Sequence, residues 1–260
     1  MITTIVLLLA GFVAGAVNSV AGGGSLLTFP ALLALGYPAL QANVTNTIGV
    51  FPGNISGTTA YREELSGQRE QLLRCSLAAG IGALGGAVLL LHTSEAVFRH
   101  VVPVLIALAA LLILVQPLVA ERLRRRTRQR TLERGATGEQ PHSRVWAAPL
   151  TVGAISVYGG YFGAAIGVML IAALGVLLPE SLLRVNALKT ALTLVVNGLS
   201  GVVFAIFASV AWGAALTLAV ATLAGGYAGA GIARRLPEPV LRAVIVAIGI
   251  VAAVIVAVRG

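Results

Sequence analysis

The chemistry of this sequence centres on Lys189, the only lysine among its 260 residues. It lies about two turns into an apolar stretch that begins near Ser181, where a cationic side chain is costly unless it faces water, a partner or a ligand. Polar residues recur around it at steps of three and four, which places them on one helical face: Asn186, Lys189 or Thr190, Thr193 and Asn197. One ammonium group among amides and hydroxyls is suited to a small anion. The alternative is that Lys189 extends to the cytoplasmic interface, which its depth allows.

A second candidate for anion binding is the stretch NSVAGGGS at residues 18–25, inside an apolar region. Glycines that break a helix free several N–H groups, and those groups attract anions. No lysine follows in the position that a nucleotide phosphate-binding loop requires. A second apolar stretch, residues 153–178, also breaks at glycines and has Tyr158 and Tyr161 beside them. The alternative role for the Ser, Thr and Asn residues near both breaks is to join helices by hydrogen bonds.

Other chemistries find no support in the residue types. The chain has no aspartate, its nine acidic residues are glutamates in predicted loops or helix ends, and His92, His100 and His142 are predicted loop residues. Proton relays and sodium sites usually use intramembrane carboxylates or histidines. We see no metal-ligand spacing, nucleophile with a base, or paired carboxylates, and therefore expect no catalytic residues, no metal and no cofactor.

The elements that position these residues are predicted to be membrane helices. The chain is 58% hydrophobic and only 10% charged, whereas a soluble domain is about 25% charged. A crossing needs about 20 apolar residues, and six stretches have that length: 41–61, 70–91, 96–120, 182–208, 210–233 and 238–258. The two Gly-broken segments, 2–35 and 145–178, are too short for two full spans each. We interpret each as a tilted pair of short helices, or one span with a re-entrant piece. The prediction is an all-α polytopic protein with about eight transmembrane helices.

The charges predict the topology. The net charge is +9, and eight arginines lie in a polar segment at 121–144, which we interpret as a basic cytoplasmic loop near lipid headgroups rather than a nucleic-acid site, since no aromatic residues are interleaved. If 145–178 enters and leaves on one side, 16 of the 18 Lys and Arg residues lie at cytoplasmic ends. This arrangement obeys the positive-inside rule best. It makes 1–120 and 145–260 two inverted repeats.

The stretch GFVAGAVNSVAGGGSLLTFPALLALGYPALQANVTNTIGVFPGNISG resembles the N-terminal signature of the sulfite exporter TauE/SafE family, and RVNALKTALTLVVNGLSGVVF is similar to its second-half counterpart. The resemblance implies export or uptake of sulfur-containing anions in bacterial inner membranes. By motif it implicates Asn18, the glycines at 22–24, Asn46, Asn186 and Lys189. The second break, YGGYFGAAIG, lacks the GGGS spelling, so a strictly symmetric site is not implied.

The sequence therefore predicts a multi-pass secondary transporter of the bacterial inner membrane that moves a small anion such as sulfite, thiosulfate or an organosulfonate by alternating access. A passive anion channel and a non-transporting scaffold are the alternatives. The expected partners are the anion and membrane lipids, without nucleic acid, and nothing indicates an oligomeric state. Both breaks are expected to meet near the midplane. The predicted substrate-binding residues are Asn18, Ser19, Gly22, Gly23, Gly24, Asn46, Tyr158, Gly160, Asn186, Lys189 and Asn197.

Overall fold

The structure, a computed structural model, describes residues 2–20, 22–137, 146–178 and 180–232. These residues form nine α-helices and no strand, which confirms the all-helical prediction for this part of the chain. The predicted span at 238–258 lies outside the described residues. The helices are α1 (Ile2–Val20), α2 (Ser25–Ala34), α3 (Ala39–Ala60), α4 (Arg69–Leu91), α5 (Glu95–Thr137), α6 (Ala147–Tyr161), α7 (Ile166–Leu177), α8 (Leu182–Phe207) and α9 (Trp212–Ile232).

Each Gly-broken segment is a pair of short helices. The break between α1 and α2 contains Gly22 with φ +79°, and the break between α6 and α7 contains Gly163 with φ +77°. Both glycines close the preceding helix in the same way: the N–H of Gly22 donates to the carbonyl of Val17 (3.2 Å), and that of Gly163 to the carbonyl of Tyr158 (3.3 Å). Glycine favours this left-handed turn because a Cβ atom is strained there.

Three of the helices in the described ranges are long and apolar enough to cross a membrane: Arg69–Leu91, Glu95–Leu112 and Leu182–Phe207. Helix α3 has a comparable length of 22 residues but is not among them, because a row of Asn, Thr and Ser side chains lowers its hydropathy. Most of those polar side chains are buried. The count of eight spans and the inverted repeat remain predictions.

The basic segment at 121–144 differs from the loop that we expected. Helix α5 continues without interruption to Thr137, so the backbone of 121–137 is helical. The residues in this segment explain the difference, since Arg, Leu, Gln and Glu are all good helix formers. Polarity alone had suggested a loop. Its cytoplasmic location remains a prediction.

Glycines bring two pairs of helices into backbone contact. A Cβ atom on Gly86 of α4 would lie 2.1 Å from the carbonyl oxygen of Val157 in α6. A Cβ atom on Gly15 of α1 would lie 2.2 Å from the carbonyl oxygen of Thr222 in α9. Small residues permit such close approach in membrane bundles. The α4–α6 and α1–α9 contacts thus fix the two broken segments against the rest of the bundle.

We expect Gly86→Ala to destabilise the protein and the neighbouring Gly85→Ala to leave it unchanged or more stable. Gly85 is exposed and a Cβ atom there meets nothing within 4 Å, so the change only improves helix propensity, by about 1 kcal/mol. At Gly86 the added methyl group must push α4 and α6 apart, and overpacking of this kind costs about 1–3 kcal/mol. Thermal unfolding of the two purified variants measures the difference. Equal unfolding temperatures would contradict the backbone contact.

Candidate functional site

The two breaks touch in the interior of the bundle. A Cβ atom on Gly22 would lie 2.7 Å from the Cα atom of Gly167, and one on Gly167 would lie 2.6 Å from the Cα atom of Gly22. All described residues at 22–30 and 164–168 are buried. The prediction that the breaks meet is therefore confirmed, although their depth in a membrane is not tested. The contact residue is Gly167 in the first turn of α7, which sequence reasoning missed.

Lys189 lies at this contact. Its side chain is only 1% exposed, within a stretch of α8, residues 185–193, that is buried throughout. The Nζ atom donates to the backbone carbonyl oxygen of Asn18 (3.2 Å), and the Cδ atom lies 3.1 Å from the position of a Cβ atom on Gly167. The ammonium group thus points at the end of α1 inside the protein, which does not fit the alternative that it extends to the interface.

The charge on Lys189 is not paired with an acid in the contacts that we observe. Two ion pairs that we do observe, Arg74–Glu70 and Arg184–Glu180, lie at exposed or partly exposed sites. Lys189 donates instead to a neutral carbonyl group. A buried ammonium with this environment is electrostatically unbalanced and is stabilised by an anion placed beside it.

Asn18 connects the first break to two other helices. Its Oδ1 atom accepts from the N–H of Gly24 (3.0 Å), and its Nδ2 atom donates to the Oδ1 atom of Asn54 in α3 (3.4 Å). Its backbone carbonyl is the acceptor for Lys189. The N–H of Gly24, expected to be available to an anion, is therefore already bonded to Asn18.

Two asparagines hold the broken helices from the opposite half of the chain. Asn186 of α8 donates through Nδ2 to the carbonyl oxygen of Ser19 near the end of α1 (3.4 Å). Asn43 of α3 donates through Nδ2 to the carbonyl oxygen of Tyr161 at the end of α6 (2.9 Å). Asn43 was not among the predicted site residues; its position on the same buried face as Asn46 and Thr47 was the available signal.

Three further predicted residues, Asn46, Asn197 and Gly23, lie in or beside the two breaks. Asn46 accepts a hydrogen bond from the hydroxyl of Thr28 beside the first break. Asn197 is buried, with its Oδ1 atom 4.0 Å from a Cβ position on Gly163. Gly23 is buried within the first break.

Three residues that we predicted to bind substrate instead make contacts that stabilise helix packing or the second break. The hydroxyl of Ser19 donates to the carbonyl oxygens of Gly15 (3.2 Å) and Gly226 (3.4 Å), and so faces α9. The hydroxyl of Tyr158 donates to the carbonyl oxygen of Ala164 across the second break (2.8 Å). Gly160 packs against α4, where a Cβ atom would lie 2.2 Å from the carbonyl oxygen of Ala83.

Comparisons with known proteins place the chain in a family. The family model described as sulfite exporter TauE/SafE matches residues 7–256. The probable membrane transporter protein YfcA of Escherichia coli K12 is 27% identical over 95% of this chain and 86% of its own length. The probable membrane transporter protein ORF9 of a Sinorhizobium species is 26% identical over 95% of this chain and 90% of its own. A probable membrane transporter protein of Haemophilus influenzae is 23% identical over 93% and 89%. No solved structure matches the chain significantly.

The family match extends over nearly the whole chain, including both breaks and the helix of Lys189. Apolar helices of sufficient length accompany it. The protein is accordingly a multi-pass membrane protein, and it belongs to the sulfite exporter TauE/SafE family of membrane transporters.

Proposed function

We propose that this protein is a secondary transporter that moves a small sulfur-containing anion, such as sulfite, thiosulfate or an organosulfonate, across the bacterial inner membrane. The observation that supports this most directly is the buried Lys189 ammonium, whose observed hydrogen bond goes to the carbonyl of Asn18. An ammonium in a medium of low dielectric constant attracts an anion far more strongly than one in water. The family name supports the sulfur-containing class, and the bacterial relatives support the location.

The proposed mechanism is alternating access between two halves related as inverted repeats. The similar turns at Gly22 and Gly163 support this mechanism. So do the two asparagines, since Asn43 in the first half binds the end of α6 and Asn186 in the second half binds the end of α1. In this mechanism the Gly22–Gly167 contact is the closed position. Rocking of one half against the other separates the two glycines and admits the anion to Lys189.

The proposed role is transport, with no enzymatic step. Within the described residues, no three His, Cys, Asp or Glu side chains are grouped so as to hold a metal ion. The buried polar groups at the breaks are amides, hydroxyls and one ammonium, which can donate hydrogen bonds to a small anion. The proposed partners are the anion and the surrounding lipid.

Transport in proteoliposomes tests the proposal. We expect uptake of labelled sulfite or a labelled sulfonate to saturate and to be accelerated when the vesicles contain unlabelled anion, since a carrier exchanges bound solute between its two faces. Uptake that rises linearly and shows no acceleration would instead identify a passive channel. No movement under any gradient would favour a scaffold and overturn the proposal. The same anions, screened by thermal unfolding, should raise the unfolding temperature if they bind.

A further inference from the structure

Two buried side chains that donate hydrogen bonds meet at Asn18. The Nζ atom of Lys189 donates to its backbone carbonyl, and the Nδ2 atom of Asn18 in turn donates to the Oδ1 atom of Asn54 in α3 (3.4 Å). Asn54 was not among the residues that we predicted to bind substrate. It is only 3% exposed, and its Nδ2 atom has no hydrogen-bond partner among the described residues. A buried donor without an acceptor is costly, so this NH₂ group calls for one.

The hydrogen bonds around Asn18 fix which end of the Asn54 amide is free. The backbone N–H of Gly24 only donates, so the Asn18 atom that it contacts (3.0 Å) is the acceptor Oδ1. The other end of the Asn18 amide is then the donor Nδ2, and the Asn54 atom that faces it must be an acceptor. The free atom of Asn54 is therefore the donor. Rotation of its amide by 180° would place two donors against each other.

Helix packing brings Asn54 to the same junction as Lys189. Gly57 lies one turn after Asn54 on the same face of α3. A Cβ atom on Gly57 would lie 3.0 Å from the Cγ2 atom of Thr190 and 3.4 Å from the hydroxyl oxygen of Ser19. Thr190 follows Lys189 in α8, and Ser19 lies near the end of α1. Helices α3 and α8 thus converge on the end of α1, and each contributes a buried donor.

The charge at this junction is positive. Within the described ranges, Lys189 is the one charged residue that is buried. Its ammonium has three N–H groups, and the carbonyl of Asn18 accepts from one of them. The Oδ1 atom of Asn186 is a buried acceptor without a partner, but Asn186 lies one turn from Lys189 on the same face of α8, where the ammonium is a suitable donor. An anion with acceptor atoms is therefore the ligand that suits the unused donors.

We propose that Asn54 binds the transported anion together with Lys189, so that one oxygen of a sulfonate-type group accepts from the ammonium and another accepts from the Nδ2 atom of Asn54. This inference rests on the proposed function and adds to it a binding residue from the first half of the chain. The anion is held between α3 and α8, and Asn18 positions both donors. An oxyanion supplies a separate acceptor atom to each donor, whereas chloride supplies a single atom.

Thermal unfolding of the full chain in detergent tests this role, with sodium methanesulfonate titrated against sodium chloride at equal ionic strength. We expect the unfolding temperature of the wild type to rise with methanesulfonate and to saturate. Asn54→Leu should weaken the apparent affinity by roughly 10-fold to 150-fold, since a hydrogen bond to a charged group is lost. Asn54→Asp should weaken it as well. An aspartate still accepts from Asn18, but it has no NH₂ group and its negative charge opposes the anion.

The same two changes at Gln68 are the matched controls. Gln68 is also a buried amide with one unpartnered atom, but its Nε2 atom donates to the carbonyls of Glu64 and Arg184. Gln68→Leu and Gln68→Glu should titrate as the wild type does. A wild-type titration in Asn54→Leu, or in Asn54→Asp if the first variant does not fold, would overturn the role of Asn54, as would an equal loss in the Gln68 variants. Those outcomes leave the proposed function in place, whereas a wild type without any saturable rise would contradict the proposed function itself.

Discussion

Replacement of Lys189 by methionine is expected to weaken the stabilisation of the protein by sulfur-containing anions strongly while leaving the fold intact. The ammonium is buried and donates to a neutral carbonyl, so its positive charge is available to an anionic ligand. A hydrogen bond to a charged group contributes about 1.5–3 kcal/mol. Its loss lowers anion affinity by roughly 10-fold to 150-fold. Anion titrations followed by thermal unfolding, and uptake into proteoliposomes, measure the two consequences.

The same substitution should leave the unfolding temperature unchanged or raise it when no anion is present. Burial of an ammonium costs several kcal/mol of desolvation free energy, and a hydrogen bond to a carbonyl oxygen offsets only part of that cost. Methionine fills a similar volume without the charge. A residue kept for function at the expense of stability behaves in this way, whereas a purely structural lysine would destabilise the protein when removed. Loss of stability together with unchanged anion binding would contradict the role of Lys189.

Two control variants distinguish the effect of the buried position of Lys189 from the effect of removing one positive charge. Arg184→Gln removes one positive charge from the same helix, but Arg184 is paired with Glu180 at a partly exposed site. That variant should bind anions as the wild type does. Lys189→Arg keeps the charge at the site and should retain more anion affinity than Lys189→Met. An equal loss in Arg184→Gln would mean that the net charge of the chain, rather than the buried site, determines affinity.

Local patterns in the sequence were sufficient to predict the helices and the positions where they break. The glycines at 22–24 and 159–163 interrupt apolar stretches too short for two spans each, and the structure has a pair of short helices at both places. The basic segment at 121–144 was predicted as a loop because it is polar, whereas its residues up to Thr137 are helical. Polarity indicates exposure to water, which is compatible with either conformation, and helix propensity was the better guide there.

The site was predictable only where a single helix determines it. The polar face of α8 and the importance of Lys189 follow from residue spacing within that helix. The contact between Gly22 and Gly167 and the bond from Lys189 to Asn18 join segments more than 100 residues apart, and no local pattern reports such contacts. Gly160 illustrates the converse error. A glycine that permits helix packing and a glycine that permits a break look alike in sequence, and this one packs on Ala83.

Replacement of Gly22 by alanine is expected to destabilise the protein through two separate effects at the first break. Gly22 has a φ angle of +79°, where an L-residue is strained by about 1–2 kcal/mol. In addition, the new Cβ atom would lie 2.7 Å from the Cα atom of Gly167 and 3.0 Å from its carbonyl carbon. Both contacts are with backbone, which cannot rotate away. The two breaks must therefore separate, with a further overpacking cost of about 1–3 kcal/mol.

Gly36→Ala provides the matched control, because Gly36 has a φ angle of +89° but a Cβ atom there meets nothing within 4 Å. It should show the backbone strain alone, so the difference in unfolding temperature between the two variants measures the contact with Gly167.

If Gly22→Ala folds, exchange of anion in proteoliposomes should fall much more than in Gly36→Ala, since the Gly22–Gly167 contact is the closed position in the proposed mechanism. Gly167→Ala should show the overpacking cost without the backbone strain, because it disturbs the same contact from the other side but lies within helix α7. Equal stability and equal exchange in Gly22→Ala and Gly36→Ala would contradict a functional contact between the breaks.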